Sequence, residues 1–151
     1  MASSNPLSPV EEELWRSLMR IVKALPRCLH DDLVQSTGIT ASEYTTMMNL
    51  SEAPDRELRM TDLANATALS PSRTTRVVES LQSRGFVTKR VSSADARGNV
   101  ARMTPKGMAK LRAAWPAHLE SVRRRVMNQI EPSCKRDLAR SLSAVAAGLE
   151  D

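Results

Sequence analysis

The chain has 151 residues and carries 22 Lys+Arg against 17 Asp+Glu, a formal net charge of +5, with 41% hydrophobic and 26% charged residues. The length suits one domain with or without extra elements, and the composition excludes wholesale disorder. Aromatics are only 3%, so the core must come from Leu, Val, Met and Ala, which favours helices and argues against RNA-binding sheets or single-strand grooves, where bases stack on rings.

The opening Met-Ala-Ser-Ser-Asn-Pro lacks the basic and apolar regions of a signal peptide. No apolar run approaches the roughly 18–20 residues that span a bilayer, so a soluble cytoplasmic chain without a membrane partner is expected. Ser8 caps a first helix entered through Pro9 and Glu11–Glu13, acids that complement the helix dipole. Leu14, Leu18, Ile21, Val22 and Leu25 recur at helical spacing. Pro26 should kink or break this helix, although Leu29, Leu33 and Val34 carry the pattern on to a stop at Gly38. Thr40 and Glu43 form a capping box ahead of a helix that buries Tyr44, Met47, Met48 and Leu50 and ends near Ala53-Pro54. Thr61 is expected to cap a short helix with Leu63, Ala64 and Ala66. Ala68-Leu69 then turn the chain into a helix opened by Ser70-Pro71, which turns Val77, Val78 and Leu81 inward and stops at Gly85.

Residues 86–91 and 100–103 read as strands joined by a polar loop with Gly and Asn, a long hairpin. Thr104-Pro105 repeats the cap-plus-proline signal. A long helix follows with Met108, Leu111, Trp115, Leu119, Val122, Val126 and Ile130 on one stripe and a kink expected at Pro116. Pro132 restarts the chain, and Leu138, Leu142, Val145 and Leu149 stripe a final helix. The fold class is therefore mainly α with a small β-hairpin wing. A winged helix–turn–helix (39–107) is flanked by an N-terminal arm and helix (1–38) and C-terminal helices (108–151). The flanking stripes are too long for so small a core and point to a partner chain.

From Pro71 to Gly107 eight basic residues (Arg73, Arg76, Arg84, Lys89, Arg90, Arg97, Arg102 and Lys106) face only Glu79 and Asp95, a local +6 that leaves the remainder at −1. The basic excess thus sits on the second helix of the helix–turn–helix and on its hairpin, the footprint of a duplex-DNA reader. Residues near the start of such a helix face base edges. Here these are Ser72, Arg73, Thr74 and Arg76. Arg73 or Arg76 can bind guanine bidentately or contact phosphate, and Thr74 can meet a base or a thymine methyl. Ser70 and Thr75 suit phosphate. Lys89, Arg90 and Lys106 add charge to the wing. Arg97 at the hairpin tip can enter a narrow minor groove, and Asp95 either orients it or forms the turn. With two histidines, five glycines and no nucleophile–base set or phosphate-cradling loop, no enzyme and no cofactor are expected. Cys28, His30, His118 and Cys134 have no zinc-ligand spacing, so no metal is assigned. The alternative to a DNA reader is a winged-helix module that binds protein.

Across Ile39 to Lys110 the chain resembles the MarR family of bacterial winged-helix transcription regulators. Ile39–Tyr44, Thr61-Asp-Leu-Ala64, Leu69–Arg76 with its Ser-Pro-Ser-Arg core, Leu81-Gln-Ser-Arg-Gly-Phe-Val87, and Asp95-Ala-Arg97 followed by Met103-Thr-Pro-Lys-Gly107 match family blocks in order. Ala96 stands where the family's wing usually carries a first arginine, and Met103 replaces a leucine. The resemblance implies a homodimeric repressor built by the terminal helices, with two recognition helices reading a palindrome in successive major grooves. Val122, Val126, Leu138, Leu142, Val145 and Leu149 are the interface candidates. It also implies release by a small aromatic or phenolic acid, for which Trp15, Arg16, Met19, Arg20, Met47, Trp115 and His118 are the candidate lining. Some family members instead sense peroxide through a cysteine in the first helix. Cys28 is the candidate for that alternative, and an inert thiol is the plainer reading of both cysteines.

Overall fold

The structure is a computed structural model and describes residues 5–91 and 98–150. Helix α1 spans Pro9–Thr37 and opens in a capping box, with the Glu11 carboxylate accepting from the Ser8 amide at 2.7 Å. Gly38 ends it in the left-handed region at φ 70°, its N–H donating to the Val34 carbonyl at 3.0 Å. The expected break at Pro26 is absent: the helix runs through it. A proline deletes one amide donor, and cooperative turns on both sides carry the helix across the gap.

Helix α2 (Ala41–Glu52) begins at the Thr40/Glu43 box and ends at Ala53. A 3₁₀ turn at Pro54–Arg56 leads into strand β1 (Glu57–Arg59), which the sequence reading lacked. Helix α3 (Met60–Thr67) follows β1 directly, with Arg59 in the cap position. Thr61 therefore lies inside the first turn and caps nothing, contrary to expectation. Ala68 turns the chain at φ 52°, and α4 (Pro71–Ser83) starts at Ser70, whose hydroxyl accepts from the Arg73 amide.

Strands β2 (Val87–Val91) and β3 (Asn99–Met103) form the hairpin, and β1 pairs with the far side of β3. Both pairings are antiparallel, with Glu57 and Thr88 flanking Arg102 in one row and Val87 opposite Met103. The wing is thus the edge of a three-stranded sheet. Helix α5 (Pro105–Arg125) is capped by Thr104, whose Oγ1 accepts from the Gly107 amide at 3.0 Å, and it continues through Pro116. It ends at Arg125 rather than reaching Ile130, because Val126 leaves helical geometry at φ −125°, ψ −62°. Short turns at Met127–Gln129 and Pro132–Cys134 precede α6 (Lys135–Glu150).

The chain divides within α5 into two units, Met1–His118 and Leu119–Asp151. In the first, Leu33, Ile39, Met47, Leu50, Leu63, Val78, Leu81, Val87, Ala101, Met103 and Leu111 make one core between α1–α5 and the inner face of the sheet. Each buried Leu, Ile, Val or Met side chain contributes about 1.5–3 kcal/mol of burial. The outer surface of α1 leaves Val10, Leu14, Trp15, Ile21 and Val22 exposed. In the second unit, Leu142, Val145 and Leu149 are exposed along α6. Among the described residues no helix is long and apolar enough to cross a membrane.

Candidate nucleic-acid interface

The α3–turn–α4 unit is fixed by three local devices. The Leu69 amide donates to the Ala64 carbonyl at 3.1 Å, closing the turn. Ser70 caps α4, and Val78 and Leu81 are fully buried. These contacts leave Ser72, Arg73 and Arg76 exposed on the first turns of α4. Arg73 and Arg76 are three residues apart and share a face. Among the described residues neither meets a carboxylate. Two free guanidiniums beside the positive end of a helix form a surface for an anionic partner.

The other expected contacts divide. Ser70 is committed to the cap and lies 3.2 Å from the Ser72 hydroxyl, while Thr75 is half-buried and donates to the Pro71 carbonyl. Thr74 is a correction: it is 1% exposed, and its hydroxyl donates to the Ser70 carbonyl at 3.0 Å. Residue 74 is four positions before Val78 and so faces the core, out of reach of a base edge. Lys89 is half-buried. Arg90 is held in an ion pair with Glu57 at 2.8 Å, spanning the sheet. Lys106 donates to the Arg84 carbonyl at 2.8 Å and stands over the Phe86 ring. Asp95 and Arg97 lie outside the described residues.

The expected effector lining lies within the first unit but is dispersed in burial. Trp15, Arg16, Met19, Arg20 and Trp115 are exposed, with Arg16 paired to Glu12; Met47 is fully buried in the core. His118 packs tilted against Tyr44, with ring centroids 4.6 Å apart, and against Trp115 at 6.3 Å. Tyr44 Oη and His118 Nδ1 are buried without a hydrogen-bond partner among the described residues. Burial pushes the Tyr44 hydroxyl up to about 12 and the His118 imidazole below its ordinary value. A separate polar cleft of about 630 Å³ opens at the root of the wing, lined by Ser51, Asp55, Arg56, Thr88, Arg102 and Thr104 among others. It shares no residue with the expected lining. Cys28 is half-buried and Cys134 exposed; both are free thiols.

Sequence reasoning missed the buried carboxylate behind α4. Glu43 is 5% exposed, and its oxygens accept from the Thr40 amide at 2.8 Å, the Ser80 hydroxyl at 2.7 Å and the Arg84 guanidinium at 3.3 Å. Burial alone would raise this carboxyl. The bonds from Thr40 and Ser80 and the Arg84 charge outweigh it and hold the group below the usual carboxylate range. The capping box gave the only sequence signal, because Ser80 and Arg84 lie 37 and 41 residues away.

A helix–turn–helix with an exposed, unpaired basic face, backed by a three-stranded sheet and continued into a long helix, defines a winged-helix protein. Residues 37–98 match the sequence model of the MarR family. The chain superimposes on Sco3205, a MarR family transcriptional regulator from Streptomyces coelicolor solved in complex with DNA. The two are 30% identical, with a TM-score of 0.87 over 100% of this chain and 94% of that one. AbsC, a MarR family regulator from the same organism, is also 30% identical, with a TM-score of 0.84 over 97% and 99% of the two chains. The HTH-type transcriptional repressor YetL of Bacillus subtilis is 26% identical over 110 residues, which span 73% of this chain and 65% of the repressor. The chain belongs to the MarR family, whose members are transcription regulators and not enzymes.

Proposed function

We propose that the chain is a transcriptional repressor that binds a palindromic duplex site as a homodimer, with α4 in the major groove and the wing, including Arg97, at the minor groove. The observation that carries this reading is the pair Arg73 and Arg76, exposed on the first turns of α4 with no acidic partner among the described residues. Relatives support it: Sco3205 is solved with DNA and YetL is a repressor. The second copy accounts for the exposed apolar stripe of α1 and, separately, for that of α6, since surface stripes of that size mark an interface.

The test is duplex binding at several salt concentrations. Wild type is expected to show a steep loss of affinity with salt, and Arg73→Ala with Arg76→Ala to lose specific binding at unchanged Tm. A double variant that still protects the same operator would overturn the assignment of α4. Sedimentation velocity should give twice the chain mass, and Leu142→Glu with Val145→Glu should shift it toward the monomer.

The ligand we assign to the regulator is a small aromatic acid. Its support is the Tyr44–His118–Trp115 cluster, where a phenol oxygen and an imidazole nitrogen stand buried with no hydrogen-bond partner among the described residues, and buried polar groups are ordinarily satisfied. A thermal-shift screen with aromatic carboxylates tests it, with His118→Phe expected to abolish the shift.

A further inference from the structure

We infer that Arg84 and Glu43 are positioning residues that fix the angle between the recognition helix and α1, and so select the spacing of operator half-sites. The inference rests on the dimeric DNA-binding reading above. Arg84 stands at the C-terminal cap of α4. One side of its guanidinium donates to the buried Glu43 carboxylate at 3.3 Å, and Nη2 donates to the Gly38 carbonyl at 3.1 Å. A single planar cation therefore ties the last turn of α4 to the N-terminus of α2 and to the residue that ends α1. Supporting contacts converge on the same spot. Ser80 of α4 donates to Glu43, Lys110 donates to the Thr37 carbonyl at 2.6 Å, and the Arg84 guanidinium lies 4.9 Å above the Phe86 ring.

The joint sits at the end of α4 away from Arg73. Arg84 lies eleven positions beyond Arg73 along α4, about 16 Å at about 1.5 Å per residue. A tilt of about 10° about the joint moves the reading end by about 3 Å, close to the rise of about 3.4 Å per base pair. In a dimer assembled through α1, the same tilt occurs in both lobes. The joint thus sets the distance between two reading ends that must fall about 34 Å apart. Arg73 and Arg76 take no part in the joint, so their substitution and that of Arg84 can be read separately.

The test begins with a duplex selected from a random library by the wild-type dimer. Its central spacer is then lengthened and shortened by one base pair, and each version is titrated with wild type, Arg84→Met, Arg84→Lys and Glu43→Gln. Wild type is expected to lose about tenfold or more per base pair of spacer change. Arg84→Met is expected to bind the selected site about tenfold more weakly and to distinguish the spacers by only about twofold, at unchanged dimer mass. Arg84→Lys keeps the charge but cannot reach Glu43 and Gly38 together, so it should restore part of the affinity and little of the spacing preference. If Arg84→Met does not fold, Arg84→Lys and Glu43→Gln carry the measurement. Variants that weaken binding equally at every spacing, or keep the wild-type profile, would overturn the inference. Failure of wild type to select any duplex would instead remove the DNA-binding reading, and this inference with it.

Discussion

Gly107 lies against the backbone of Phe86 so closely that a Cβ on it would stand 2.1 Å from the Phe86 carbonyl oxygen and 2.9 Å from the Met103 sulfur. The approach is imposed by Thr104, whose amide donates to that same carbonyl at 3.1 Å and whose hydroxyl caps α5. The Met-Thr-Pro-Lys-Gly run is therefore a packing joint between wing and α5. Gly107→Ala should destabilise the chain by about 3 kcal/mol through backbone overlap that no side-chain rotation relieves. Urea unfolding at constant m checks it; a loss under about 1 kcal/mol would contradict the close approach.

Ala68 holds φ 52° in the turn of the helix–turn–helix, a region that costs a residue with a Cβ about 1–2 kcal/mol. Ala68→Gly relieves this strain and gives part of it back as unfolded-chain entropy. A net gain of about 0.5–1 kcal/mol, seen as a Tm rise of a few degrees, is expected with DNA affinity unchanged.

Thr74 and Ser72 are neighbours with opposite roles, one facing the core and one facing out. Thr74→Ala should lower stability by about 1–2 kcal/mol and, well below Tm, leave duplex affinity within about twofold. Arg73→Ala should do the reverse, leaving Tm in place and weakening a selected duplex by about 1–3 kcal/mol. Equal effects of both on affinity would contradict the inward orientation of residue 74.

His118 is desolvated against Tyr44, so its folded-state pKa falls below the ordinary 6.5. The unfolded chain then binds the proton more readily, and stability is full above pH 6.5 and falls as pH drops through the folded-state value. The Tm of wild type should decline between pH 7 and 5, and His118→Phe should flatten that part of the curve. A variant whose Tm follows the wild-type profile throughout would assign the decline to other groups.

Four of the five expected helix caps were legible from one residue each: Ser8, Thr40, Ser70 and Thr104 cap the helix expected of them, and Thr61 does not. The local +6 marked the helix that exposes Arg73 and Arg76. What stayed hidden depends on partners distant in sequence. Strand β1 is three residues with charged ends, Glu57 and Arg59, and exists because β3 offers it a second edge. Nothing local separates Thr61 from a cap until β1 is known to run into α3 without a break. Thr74 looked like a contact because position in the helix was read without its phase, which Val78 fixes. The Glu43–Arg84 pair spans 41 residues and needs the tertiary fold to bring it together.

Because Arg59 is both the last residue of β1 and the cap of α3, the sheet and the helix–turn–helix share a residue and have no linker to cut. Exchanging the hairpin alone would leave β1, and with it the start of α3, paired to a foreign β3. A graft of Glu57–Met103, bounded by the 3₁₀ turn at Pro54–Arg56 on one side and the Thr104 cap on the other, keeps both junctions, and its recipient must still offer a carboxylate at 43 and the carbonyl at 38 to Arg84.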